Sequence, residues 1–270
     1  MGNLFCIKDK VILITGGAGI LGRELGKYLA GEGGRIVILD RDEKAGNELV
    51  EAIKSAGGEA SFFTTDVLNQ EVLEKNREDI LTKYGCIDVL LNAAGGNMPG
   101  ATITPDQTIF DMQPDAFKKV LDLNLVGTVL PTQVFLKAMV EQKSGSIVNF
   151  SSMSALRPLT RVAGYGVAKA GISNFTKYLA IEVATKFGEG IRVNAIAPGF
   201  FLTQQNRALL TNPDGSWTQR GQDVIRHTPF GRMGRPEEIC GTIHYLISDA
   251  ASFVTGTVAV VDGGFDSFSV

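Results

Sequence analysis

The chain has 270 residues, 44% hydrophobic and 20% charged, with a formal net charge of −3, a balance that excludes a disordered chain and suits one large α/β domain. Neither sign of charge gathers into a long run, so the footprint of a nucleic-acid binder is missing, and apolar runs such as 11–14 fall well short of the roughly 18 residues of a membrane span. Cys6 stands where an N-myristoylation motif wants Ser or Thr, nothing resembles a signal peptide, and Cys6, Cys86 and Cys240 are too scattered for a disulfide framework or a metal site.

In chain order, short β-rich apolar segments at 11–14, 36–40, 60–64, 87–92, 146–151, 191–197 and 257–261 alternate with longer helical stretches. Consecutive apolar residues within each segment are the pattern of strands covered on both faces. The alternation predicts βαβ units with right-handed crossovers, and hence a Rossmann-like, doubly wound parallel sheet of about seven strands in a single domain, 1–270. No linker divides the chain. Two irregular stretches, 95–114 and 199–235, leave the carboxyl ends of the fourth and sixth strands, where open α/β sheets bind ligands; 199–235 is read as a substrate loop.

The first strand runs into Thr15-Gly16-Gly17-Ala18-Gly19-Ile20-Leu21-Gly22 and then a helix. A glycine turn there lets backbone N–H groups approach a pyrophosphate at a helix N-terminus, although a simple flexible turn has the same composition. Asp40 closes the second strand about 20 residues past the turn, where a carboxylate accepts bonds from an adenosine ribose and repels a 2′-phosphate. That favours NAD(H) over NADP(H), with adjacent Arg41 pulling the other way; the alternative role for Asp40 is a helix N-cap.

Farther along, Tyr165 and Lys169 stand at i and i+4, on one face of a helix. A nearby ammonium favours the phenolate and lowers the phenol's pKa toward neutrality, fitting Tyr165 as general acid in reduction and general base in oxidation. Ser152, at the end of the fifth strand, can hold the substrate oxygen against the phenol; separately, a Ser pair at a strand end is also a common cap or turn. The two histidines, His227 and His244, lie in no ligand motif, so no metal is expected.

Taken together, the glycine turn, Asp66-Val67, Asn92-Ala93-Ala94-Gly95, Asn124, Ser152, Tyr165-x-x-x-Lys169, Pro198-Gly199 with Thr203, and the closing Val261-Asp262-Gly263-Gly264 resemble the short-chain dehydrogenase/reductase family from about Lys8 to Phe265. The resemblance implies a cofactor site formed by Gly16, Gly19, Ile20, Leu21, Gly22, Asp40, Arg41, Asp66, Val67, Asn92, Ala93, Ala94, Gly95, Tyr165, Lys169, Pro198, Gly199 and Thr203. Within it, Asp66 and Val67 flank the adenine, Lys169 bonds the nicotinamide ribose, and Thr203 holds the carboxamide. Asn124 joins Ser152, Tyr165 and Lys169 as the fourth catalytic member, holding a water that relays protons from Lys169, unless it is only a polar kink in a long helix. Ile20 replaces the usual middle glycine of the turn, and Ala93 replaces the commoner second Asn of the fourth-strand motif.

The segments 94–99, 130–135, 151–160 and 197–207 are similar to the D-mannonate oxidoreductase, or fructuronate reductase, subgroup, which implies interconversion of D-fructuronate and D-mannonate. Met98 replaces the His that the subgroup often carries after Gly-Gly-Asn. Asn97, Ser152, Arg157, Gln204, Asn206 and Arg207 are the expected substrate ligands, with Arg157 or Arg207 on the carboxylate because a planar guanidinium can bond both oxygens; either arginine could instead be a surface residue or pair locally. Alternatives are a gluconate- or sorbose-type polyol dehydrogenase and a non-catalytic NAD(H)-binding regulatory protein. The family resemblance further implies a homotetramer built through the long helices near Asp115 and Gly164, and a cytoplasmic setting.

Overall fold

The computed structural model describes residues 2–268, apart from the side chains of Gln204, Gln205 and Ala208. Seven strands form one parallel sheet in the order β3-β2-β1-β4-β5-β6-β7. They are β1 (Val11–Thr15), β2 (Arg35–Asp40), β3 (Glu59–Thr64), β4 (Val89–Asn92), β5 (Gly145–Phe150), β6 (Ile191–Pro198) and β7 (Val258–Val261), each near its expected place. The single α/β domain and its Rossmann-like sheet are as the alternation of segments predicts.

The period-2 alternation of side chains divides each strand between two cores. Ile12, Ile14, Ile36 and Ile38 face α1 (Ile20–Gly31), α2 (Glu43–Ser55) and α9 (Cys240–Ile247), meeting Leu25, Leu49 and Ile243. Val11, Leu13, Val37 and Leu39 face the other way, where Leu73 of α3 (Gln70–Tyr84), Phe135 of α5 (Gly127–Gln142) and Val183 of α6 (Ala163–Phe187) fill the second layer. Fully burying a side chain of this size contributes about 1.5–3 kcal/mol.

A continuous helical stretch, Pro114–Gln142, joins α4 (Pro114–Leu121) to α5 through a π-helical turn, Asp122–Val126. By length and mean hydropathy, 1.3, it is the one described helix that matches a membrane span, a property the short apolar runs of the sequence did not disclose. Its Val134, Phe135 and Met139 are packed against the sheet.

Strand order reverses between β1 and β4, whose last residues Thr15 and Asn92 are register partners. This switch point leaves a crevice at the carboxyl ends of the strands, because the connections on its two sides turn away in opposite directions. The glycine turn after β1 and the segment after β4 form its walls.

Candidate active site

A cavity of about 500 Å³ occupies that crevice, a size ordinary for small-molecule and cofactor sites. At one end the glycine turn is set by two close approaches. Gly16 has φ +63°, and a Cβ there would lie 2.7 Å from the Ala94 Cα; a Cβ on Gly22 would lie 2.7 Å from the Gly17 Cα. Gly19 is the N-cap of α1, whose first turn has neither a side-chain cap nor an acidic residue. The departure at Ile20 is thus accommodated by beginning the helix there, and Gly16, Gly19, Ile20, Leu21 and Gly22 all line the cavity. An uncapped helix start behind a turn that excludes side chains fits a bound pyrophosphate.

Asp40 and Arg41 line the same end. The Asp40 carboxylate accepts from the Ala18 N–H and the Asp42 N–H, both at 3.0 Å, so it braces the glycine turn while keeping lone pairs for a ribose. It does not cap a helix: the N-cap of α2 is Asp42, which accepts from the Ala45 N–H at 2.9 Å.

Val67, Ala93, Ala94, Gly95, Pro198, Gly199 and Thr203 also line the cavity, whereas Asp66 and Asn92 do not. Asp66 is exposed beside it, bonded to the Leu68 N–H. Asn92 lies fully buried behind the wall, its amide donating to Thr132 Oγ1 at 2.9 Å and Asn149 Oδ1 at 2.8 Å. Asn149 in turn donates to Thr176 Oγ1, so this polar chain ties β4 and β5 to α5 and α6. Asn92 thus stands behind the cavity wall and braces it.

At the reactive end, β5 delivers Ser152 and α6 presents Tyr165 and Lys169 one turn apart, all three on the cavity wall. Lys169 is buried and donates to the Phe150 carbonyl at 2.7 Å, with Nζ 5.4 Å from the centre of the Tyr165 ring. Burial lowers the Lys169 pKa to about 7, since desolvation disfavours the ammonium. The Tyr165 phenol shifts the other way from the sequence expectation: burial raises its pKa, and a hydrogen bond with Ser152 opposes the rise.

Asn124 sits in the π-helical turn, so the kink and the site coincide. Its amide donates to the Gly96 and Val120 carbonyls at 2.7 and 2.8 Å and accepts from the Gly96 N–H at 3.0 Å. The side chain is thus engaged with protein backbone. It fixes residues 95–96, where a Cβ on Gly95 would meet Asn124 Oδ1 at 2.6 Å and Lys169 Nζ at 3.3 Å.

The expected substrate ligands scatter. Asn97 lines the cavity, donates to Thr102 Oγ1 at 2.7 Å, and has a buried Oδ1 with no partner among the described residues. Asn206 reaches the wall, but its amide joins the Thr203 N–H and the Phe201 carbonyl, both at 2.8 Å, and so serves to close the start of α7 (Gln204–Leu210). Arg157 is off the wall, paired with Asp266 at 3.1 Å and the Phe268 carbonyl. Arg207 is exposed and also off the wall. The side chain of Gln204 lies outside the described part of the structure. Besides Arg41 and Lys169, the cavity is lined by a third cation, Arg220 of α8 (Gln219–His227), which was not singled out in sequence. Its signal was faint: an arginine in the first turn of a helix, where acidic residues are favoured.

With the site assembled, the comparisons place it. Residues 17–266 match a family model described as enoyl-(acyl carrier protein) reductase. An uncharacterized oxidoreductase of Bacillus subtilis, UxuB, is 43% identical over 97% of each chain. A Haemophilus influenzae protein provisionally assigned as a D-mannonate oxidoreductase, solved with bound NAD, is 40% identical over 99% of each chain with a TM-score of 0.91. A gluconate 5-dehydrogenase of Burkholderia cenocepacia, solved with NADP and tartrate, is 29% identical over 98% of each chain with a TM-score of 0.86. By its matched length, its parallel sheet and the Ser152, Tyr165 and Lys169 grouping on a dinucleotide-shaped crevice, the chain belongs to the short-chain dehydrogenase/reductase family and is a nicotinamide-dependent oxidoreductase.

Proposed function

We propose that the protein interconverts a keto-sugar acid and its alcohol using NAD(H), with D-fructuronate and D-mannonate as the substrate pair. The observation that carries the reaction is the continuity of one cavity from the Asp40 carboxylate to the Tyr165 and Ser152 hydroxyls. The choice of substrate is supported by the similarity to the Haemophilus protein. NAD(H) is preferred over NADP(H) because Asp40 puts negative charge where a 2′-phosphate has to sit.

Gly16, Gly19 and the first turn of α1 hold the pyrophosphate, Asp40 the adenosine ribose, Lys169 the nicotinamide ribose, and Thr203 the carboxamide. When bound, the dinucleotide supplies or accepts the hydride. In reduction, the protonated Tyr165 donates its proton to the carbonyl oxygen, which Ser152 Oγ holds in place. In oxidation, the phenolate takes the proton of the substrate hydroxyl, so the raised Tyr165 pKa makes that direction the more alkaline one. Asn124 completes the set as the member that holds a proton-relaying water, and its side chain fixes Gly96, next to the Gly95 that packs against Lys169.

The same reading has 199–235 closing over the substrate and has copies pairing through α6, which leaves Val167, Tyr178 and Ile181 exposed. Light scattering that shows a dilute monomer removes the assembly. It also includes a cytoplasmic setting, which cell fractionation tests. The test of function is reduced-nicotinamide absorbance with D-fructuronate and NADH or NADPH. Rapid NADH oxidation supports the proposal; silence with D-fructuronate alongside turnover of 5-keto-D-gluconate or L-sorbose moves the protein to a gluconate- or sorbose-type activity. Silence with all of them despite NADH binding leaves a dinucleotide-binding protein without this reaction.

A further inference from the structure

Arg220 lies in the first turn of α8, and its guanidinium crosses to the segment that joins Ser152 to Tyr165. Nη1 and Nη2 donate to the Thr160 hydroxyl and carbonyl at 3.0 and 3.1 Å. Leu159 and Val162, beside Thr160 in the chain, line the cavity with Arg220, so this cation is at the reactive end and not at the adenosine end marked by Asp40.

Among the described residues, no carboxylate forms an ion pair with it. Asp223, the acidic side chain nearest along α8, accepts instead from Gln219 and Arg226, each at 3.0 Å. The Arg220 Nε is buried without an acceptor among the described residues. Two further features make the place positive: Arg161 acts on Arg220 as a like charge that exceeds the pull of Asp223, and the first turn of α8 has no acidic residue to offset its dipole. A half-buried guanidinium placed against a helix dipole, beside another arginine and in ion-pair contact with no carboxylate among the described residues, is unfavourable in the empty protein and is offset by a bound anion.

We propose that Arg220, rather than Arg157 or Arg207, anchors the carboxylate of the substrate, with the unpartnered Asn97 Oδ1 accepting from a substrate hydroxyl. Thr160 holds one side of the planar fork, which orients its remaining N–H groups for a carboxylate. The inference rests on the reading of the substrate as an acid and names the side chain that recognises it.

The experiment compares Arg220→Gln and Arg220→Lys with the unaltered enzyme on D-fructuronate and on its uncharged counterpart, D-fructose. R220Q is expected to raise KM for the acid about 10- to 100-fold, to abolish any preference over fructose, and to leave NADH affinity within about twofold as the check on folding; R220K recovers part of the loss. An unchanged KM for the acid, or a rise in the NADH dissociation constant that accounts for the defect, overturns the assignment. If the unaltered enzyme does not turn over D-fructuronate, the proposed substrate fails but the anchor is still tested. Calorimetric titration of the NAD-loaded protein with D-gluconate and with sorbitol should show a preference for the carboxylate that R220Q removes. Equal binding of the two by the unaltered protein, or of gluconate by both proteins, refutes it.

Discussion

The two ends of the cavity are built differently. The dinucleotide end is formed by the last residues of adjacent strands, and what fixes it is close backbone packing, Gly16 against Ala94 and Gly22 against Gly17, braced by the Asp40 carboxylate on the Ala18 N–H. The substrate end is formed by connecting segments that side chains join across long stretches of sequence. Arg220 reaches Thr160, Arg157 reaches Asp266, and Phe200 stacks edge-on against Phe265 at 5.2 Å. An end determined by backbone shape tolerates few residue types and can be read locally, whereas an end determined by distant pairs can be rebuilt for another substrate without disturbing the sheet.

If that division is right, variants should separate cleanly into chemistry, cofactor and substrate effects. The largest effect is expected for Tyr165→Phe, which should lower kcat by about 10²–10⁴-fold, the range for a lost general acid, while fluorescence titration shows NADH binding retained. Loss of NADH binding in step with activity would place Tyr165 with the cofactor instead of the reaction.

Lys169→Met should also remove most activity, and it carries an opposite stability signature. The folded pKa of Lys169, about 7, is below its ordinary value of 10.5. The unfolded chain therefore binds more protons between those values, and this residue's contribution to stability rises with pH across that window. Below pH 7 the burial cost is fully present, so K169M should be the more stable protein there, by about 1–3 kcal/mol, with its advantage shrinking toward pH 10. Paired denaturant unfolding curves at pH 6 and pH 9 decide this; an unchanging difference between the two proteins contradicts it.

Asp40→Ala should raise KM for NADH about tenfold, corresponding to about 1.4 kcal/mol, and narrow the discrimination against NADPH. Steady-state kinetics with both cofactors test it, and a retained NADH preference would shift the selectivity to other residues. The smallest effect belongs to Arg157→Ala: its ion pair with Asp266 is 42% and 33% exposed, so about 0–1 kcal/mol of stability is expected and KM for the acid should stay within about twofold. A large rise in that KM would restore Arg157 as a substrate ligand and break the contrast with Arg220.

Much of the molecule was legible before any coordinates. The seven strands, the glycine turn, Asp40 and the Ser152, Tyr165 and Lys169 set all follow from local composition and spacing, because a parallel strand needs continuous apolar residues and a tight phosphate turn needs glycine. Asn92 and Asn124 illustrate the limit. Their presence was noticed, but that one joins a buried polar chain behind the wall and the other clamps Gly96 depends on which strands and helices become neighbours.

The substrate ligands mark the same boundary more sharply. Arg157, Arg207 and Arg220 are chemically identical in sequence, and only folding assigns one to the C-terminal Asp266, one to solvent and one to the cavity. The phenol of Tyr165 likewise has the neighbour that i and i+4 spacing predicted, yet its pKa moves upward because burial, a property of the whole surrounding fold, outweighs the hydrogen bond with Ser152. By itself the sequence determined what repeats locally: strand pattern, turn chemistry and the helical spacing of reactive groups. Tertiary structure alone decided desolvation and long-range pairing, since both depend on atoms far apart in the chain that share a site only after the sheet has formed.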